Sequence, residues 1–160
     1  MTAPVFGAGS PLYAEDLNAL VAIANKAMTG ISNPATTAGS DTTASASYVN
    51  MAGTGSVTSF SFTKLISSTR LFVWEAAGWQ NSVGVSDMSF GVNVNSVDYE
   101  CARQSLNTTT TIGFISGFAI ISGLAANTYT IQGRWKKRSG AGTPTRSNAE
   151  ILAIYAVEIL

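Results

Sequence analysis

Residues 88–101 read MSFGVNVNSVDYEC, and this stretch decides the fold. Met88, Phe90, Val92 and Val94 alternate with Ser89, Gly91, Asn93 and Asn95, after which Val97, Tyr99 and Cys101 alternate with Asp98 and Glu100. A two-residue loop at Asn95-Ser96 makes Val94 and Val97 the closing pair of a hairpin and puts every large side chain on one face. That face looks into a core and the other into water.

The same alternation, cut by Gly, Asn and Ser turns, runs on to both sides. It predicts strands over 45–51, 56–64, 70–77, 86–95, 97–104, 111–121, 128–137 and 150–159. Eight such strands predict a mainly β fold, an eight-stranded antiparallel jelly-roll-like sandwich. Ahead of them lie a short N-terminal arm and one α-helix. Pro4, Gly7 and Gly9 keep residues 1–9 extended. Ser10 reads as an N-cap with Pro11 at the first helical position, Glu15 and Asp16 at the positive end of the helix dipole, Lys26 at the other end and Gly30 as the stop. The helix over 11–28 carries a seam of Tyr13, Leu17, Leu20, Ala24 and Ala27, with Val21 and Met28 beside it. A helix of this length is marginal alone, so the seam must pack on its own sandwich or on copies of itself. Residues 1–30 thus form an arm and helix, 31–44 a Ser/Thr/Gly/Pro linker, and 45–160 a β-sandwich head.

Two strands are apolar on both faces. Phe72, Trp74 and Ala76 lie opposite Leu71 and Val73; Ile151, Tyr155, Val157 and Ile159 lie opposite Leu152, Ile154 and Leu160. A sandwich has one inner face per sheet, so the second apolar face needs another cover. The composition agrees: 46% of residues are apolar and only 11% charged, against about a quarter charged in an ordinary soluble chain. These features predict an oligomer, with a homotrimer around the terminal strand as the arrangement and Tyr13, Ala24, Phe72, Trp74, Leu152, Ile154 and Tyr155 at the subunit interface. The helix lying over one of these strands is the alternative.

Chemistry is sparsely represented. The chain has no histidine, which removes Ser-His-Asp and Cys-His catalysis and histidine-ligated zinc. Cys101 is the only cysteine, so no intrachain disulfide forms, and its place on the hairpin's inner face marks it as packing. Asp98 and Glu100 are the one close carboxylate pair; they project to solvent without a calcium-loop spacing or an aromatic cleft and read as surface residues. No phosphate-binding or dinucleotide motif is present, and no cofactor or metal is expected. Nine basic residues balance nine acidic ones, so no overall field draws the chain to nucleic acid. No secretory signal and no run long enough to insert in a membrane are read. The marked charge feature is a basic cluster, Arg134, Lys136, Lys137 and Arg138 with Arg146 across the loop, suited to docking on an acidic protein surface or a cell-wall polyanion.

Phe6-Gly7-Ala8-Gly9-Ser10-Pro11-Leu12, followed by Ala14 and Asp16-Leu17-Asn18-Ala19-Leu20, resembles the N-terminus of small tail and fibre proteins of tailed phages, especially those of actinobacterial hosts. Gly123-Leu124-Ala125-Ala126-Asn127-Thr128-Tyr129-Thr130-Ile131-Gln132, then Trp135-Lys136 and a final Ile/Val-rich strand, is similar to the last strands of trimeric phage fibre-head and capsid-surface domains of the C1q and tumour-necrosis-factor shape. The resemblance covers the helix and the last third of the chain. It implies a virion protein without enzymatic activity, docked to other virion proteins by its arm and helix (Pro4, Val5, Phe6, Leu12, Leu17 and Leu20), with its head outward, facing a host cell-surface glycan. A minor tail or fibre-head protein is the first reading. A capsid decoration protein is the second and a carbohydrate-active jelly-roll enzyme the third.

Overall fold

The computed structural model describes residues 29–33, 40–51, 59–82, 84–107, 112–147 and 152–159. The predicted arm and helix, with Pro4, Val5, Phe6, Leu12, Tyr13, Leu17, Leu20 and Ala24, lie outside the described residues. Within them the chain forms β1 (Thr29–Asn33), β2 (Ser40–Thr42), β3 (Val49–Asn50), β4 (Ser59–Lys64), β5 (Arg70–Asn81), β6 (Ser86–Val94), β7 (Val97–Leu106), β8 (Gly113–Ile121), β9 (Asn127–Gly140), β10 (Pro144–Ser147) and β11 (Leu152–Ile159). The fold is mainly β, with two antiparallel sheets packed as a sandwich. The first sheet runs β1-β11-β5-β10-β2, with β8 on the other side of β5; the second runs β3-β9-β6-β7, with β4 also on β9.

The hairpin of β6 and β7 forms as its alternation demands. Asn95 and Ser96 both have positive φ, 53° and 65°, the signature of the tight turn whose twist matches the strands, and Val94 pairs with Val97. Met88, Phe90, Val92 and Val94 are buried. Beyond Glu100 the register departs from strict alternation, since Phe90 pairs with Ala102 and leaves Cys101 as the extra residue of a β-bulge. Gly91 is required beside it, because a Cβ there would stand 2.1 Å from the Tyr99 carbonyl oxygen.

Between the sheets, Phe90 sits between Trp79 and Trp135, at ring-centroid distances of 6.2 and 6.1 Å. Leu71, Val73, Ile121, Ile131, Leu152 and Ile154, all wholly buried, extend this core through both sheets. The Trp79 indole N–H donates to Gln104 Oε1 at 2.6 Å, so its polar edge is satisfied where the core meets β7.

Three strands had no periodic signal. β1, β2 and β10 are short and mostly polar, and the stretch read as a linker holds β2 and most of β1. They are held by ladder hydrogen bonds to distant partners, β1 to β11 and β2 to β10, which hydrophobic spacing does not encode.

The turn between β4 and β5 is clamped from the far end of the chain. The buried Glu158 carboxylate accepts from the backbone N–H of Leu65 (3.0 Å) and Ile66 (2.8 Å) and from the Thr69 hydroxyl. Three donors on one buried acid offset the cost of desolvating it.

Candidate functional site

The outer face of the first sheet is the surface that sets this molecule apart. Strand pleating sends Leu71, Val73 and Glu75 of β5 inward and Phe72, Trp74 and Ala76 outward. On β11 the ladder places Tyr155 beside Trp74 and Val157 beside Phe72; on β8 it places Phe118 beside Trp74 and Ile120 beside Phe72. The rings interlock across the strands. Phe72 stacks on Phe118 with centroids 5.3 Å apart, and Trp74 on Tyr155 at 5.9 Å. Such pairs contribute about 0.5–1.5 kcal/mol each beyond their buried area.

The face nevertheless remains in water. Phe114 is 61% exposed, Phe118 55% and Ile120 47%, while Phe72, Trp74, Tyr155, Val157 and Ile159 are half-buried. Among the described residues charge enters only at its end, with exposed Arg70 opposite Ile159. A contiguous aromatic and aliphatic patch with no charge inside it marks an interaction surface.

The predicted interface residues divide in two. Phe72, Trp74 and Tyr155 lie together on this outer face. Leu152 and Ile154 do not; both are 0% exposed in the chain's own core, on the inward side of β11, and have no surface to offer a second copy. Phe114, Phe118 and Ile120 were not singled out from the sequence, although their strand is apolar in both alternating sets, the same signal that marks β5 and β11.

The predicted basic cluster also divides. Arg134, Lys136 and Arg138 stand on the outer face of the second sheet, the side opposite Trp135, and each has a local partner. Arg134 Nε donates to Asp98 at 3.1 Å, and its guanidinium also reaches the Tyr48 carbonyl at 2.7 Å and the Asn50 side chain. Lys136 Nζ lies 4.3 Å from the Tyr48 ring centroid. Arg138 pairs with Glu100 at 3.5 Å, and Lys137 is half-buried on β9 beside Met88. Arg146 corrects the reading of a single surface cluster. It is 0% exposed, on a strand enclosed between β5 and β2, and opposite Asp41 in the ladder.

Asp98 and Glu100 are held by cations. Glu100 takes Arg103, Arg138 and the Tyr48 hydroxyl (3.3 Å) as well. Burial pushes the Tyr48 hydroxyl pKa up, and Glu100 pushes it further. Burial likewise raises the Cys101 thiol, reinforced by Glu75 and Glu100, which holds it as an unreactive thiol. Among the described residues no three His, Cys, Asp or Glu side chains come together as a metal site requires.

One core residue of unusual character carries no signal in the sequence. Glu75 is 2% exposed, lies between Ile154 of β11 and Gly117 of β8, and neither carboxylate oxygen has a hydrogen-bond partner among the described residues. Desolvation raises its pKa well above 4.5.

These features define a class first: a two-sheet antiparallel sandwich with an aromatic outer sheet face. Solved structures to which the chain is similar come from viral and subviral particles. A chain of the IBDV viral particle aligns with a TM-score of 0.45 at 10% identity, over 84% of this chain and 40% of its own length. A chain of the infectious bursal disease virus Gx strain aligns at 0.39 and 10%, over 84% and 38%; one from the infectious bursal disease virus VP2 subviral particle aligns at 0.38 and 10%, over the same shares. The chain spans about two fifths of the length of these proteins, and so remote a likeness assigns it neither activity nor partner. No protein-family model and no curated protein matches the sequence.

Proposed function

We propose that this chain is a non-enzymatic structural protein of a virus particle, a homotrimer whose subunits meet through the aromatic outer face of the first sheet. The observation that carries the reading is the exposure of Phe114, Phe118 and Ile120 beside the stacked Phe72, Trp74 and Tyr155. A face without charge needs an apolar partner, and three copies that turn this face toward one common axis, each packing against its neighbour, cover it without a second protein. The resemblance of residues 6–20 and 123–136 to tailed-phage proteins supports a minor tail or fibre-head role, with the polar second sheet turned to the host surface.

The test is the double variant Phe114→Asp/Phe118→Asp. Both side chains are more than half exposed in the single chain, so the sandwich should keep its circular dichroism while sedimentation shifts from trimer to monomer. A variant that stays trimeric overturns the interface. Locating the protein in particle images separates the two virion roles: a few trimers at the tail support the leading one, and hundreds of copies on the shell replace it with capsid decoration.

A further inference from the structure

On the outer face of the second sheet lies an open depression of about 240 Å³ lined by Asp87, Met88, Arg103, Gln104, Ser105 and Arg138. Its shape depends on a bulge. Asp87 pairs with Ser139 and Met88 with Lys137, so Arg138 is the extra residue of β9. Bulges re-aim the side chain they carry, and here the Arg138 guanidinium reaches across β6 to Glu100 on β7. Arg103 meets the other oxygen of the same carboxylate. Glu100 is steadied by the Tyr48 hydroxyl at 3.3 Å. Two guanidiniums are therefore held by one shared acid at the rim of one depression. Each has five N–H donors, more than that acid can occupy, and their side-chain exposures of 60% and 36% leave them open to solvent.

The remaining polar groups have the opposite character. Asp87 accepts one hydrogen bond from each of two hydroxyls, Ser105 and Ser139 at 2.5 Å, which hold its carboxyl below the ordinary range and leave each oxygen a further lone pair. Gln104 is committed to Trp79 and to the Phe114 carbonyl, and so forms a fixed wall. Met88 itself is buried and points into the core, so β6 contributes only Asp87 to the open side of the depression. The site thus offers paired cationic donors for a carboxylate and an anionic acceptor with an adjoining hydroxyl for alcohol groups. A bare anion would leave Asp87 opposed, and a neutral sugar would leave the arginine pair unused. From this complementarity we infer that the depression binds one acidic monosaccharide unit, its carboxylate on Arg103 and Arg138 and its ring hydroxyls on Asp87 and Ser105.

The inference stands apart from the subunit interface and is tested on the full chain whatever its oligomeric state. In amide NMR titrations, glucuronate should give saturable shifts at Asp87, Met88, Arg103, Ser105 and Arg138. Arg138→Ala and Arg103→Ala should each weaken it about tenfold, the loss of one charge-assisted contact. Asp87→Asn should weaken glucuronate while strengthening inorganic phosphate, which the Asp87 carboxylate otherwise repels. Glucose binding as tightly as glucuronate overturns the carboxylate assignment; phosphate binding as tightly overturns the sugar assignment; shifts that never saturate overturn the site.

Discussion

Glu75 makes the fold's stability depend on pH in a direction opposite to that of most acids. Its carboxyl is fully buried and unpartnered, so the folded chain holds the proton well above 4.5 while the unfolded chain releases it near that value. A group whose folded pKa is raised stabilises fully below the unfolded pKa, and that stability is lost as pH rises toward the folded pKa. One proton taken up on folding gives a slope of about 1.4 kcal/mol per pH unit between pH 4.5 and the folded pKa. At about 2–4 °C per kcal/mol for a domain of this size, Tm falls by roughly 3–6 °C per pH unit. Desolvation is what raises Glu75, and the Cys101 thiol with which it interacts is itself raised by burial and stays neutral through this range. Glu75→Gln keeps the shape and removes the proton. Urea unfolding of both chains at one fixed concentration, from pH 4 to 8, should show the wild type losing ground steadily and the variant overtaking it. Parallel profiles would refute the buried, unpaired carboxyl.

Three other substitutions probe the frame. A Cβ on Gly117 would lie 2.1 Å from the Cys101 carbonyl oxygen, a backbone atom that cannot swing aside; Gly117→Ala should cost about 1–3 kcal/mol by chemical denaturation. Removing the clamp with Glu158→Ala leaves two buried backbone amides without their acceptor, while the Thr69 hydroxyl keeps the Ile66 carbonyl, so a loss of about 3 kcal/mol is expected, with hydrogen exchange at Leu65 and Ile66 accelerating first. Ser96 sits at φ 65° in a turn that prefers glycine, and Ser96→Gly should raise stability by about 0.5–1 kcal/mol, read from the urea midpoint.

What could be read beforehand tracks the physics of each signal. Residues 86–99 were legible because four large side chains alternate without interruption into a turn-forming pair. The bulge was not, since Cys101 and Ala102 are of similar size and only the close approach at Gly91 selects between registers. The existence of a second, outward apolar face on β5 and β11 was legible because large side chains occupy both phases of these strands. Which phase of β11 faced inward was not decidable locally, and Leu152 and Ile154 were assigned to the wrong side. Arg146 was misread because β10 is short and polar, so its burial depends wholly on its neighbours β5 and β2. Glu75 shares the inward phase of Leu71 and Val73, but a lone acid in an apolar run gives no sign that it remains unpaired.

Copies of the chain that cover the exposed aromatic face must show in the solution mass of the full chain. Light scattering at tens of micromolar should return three times 16.6 kDa, about 50 kDa. A mass of one chain, becoming a trimer only when residues 1–28 are removed, would contradict it and give the face to the chain's own N-terminal segment.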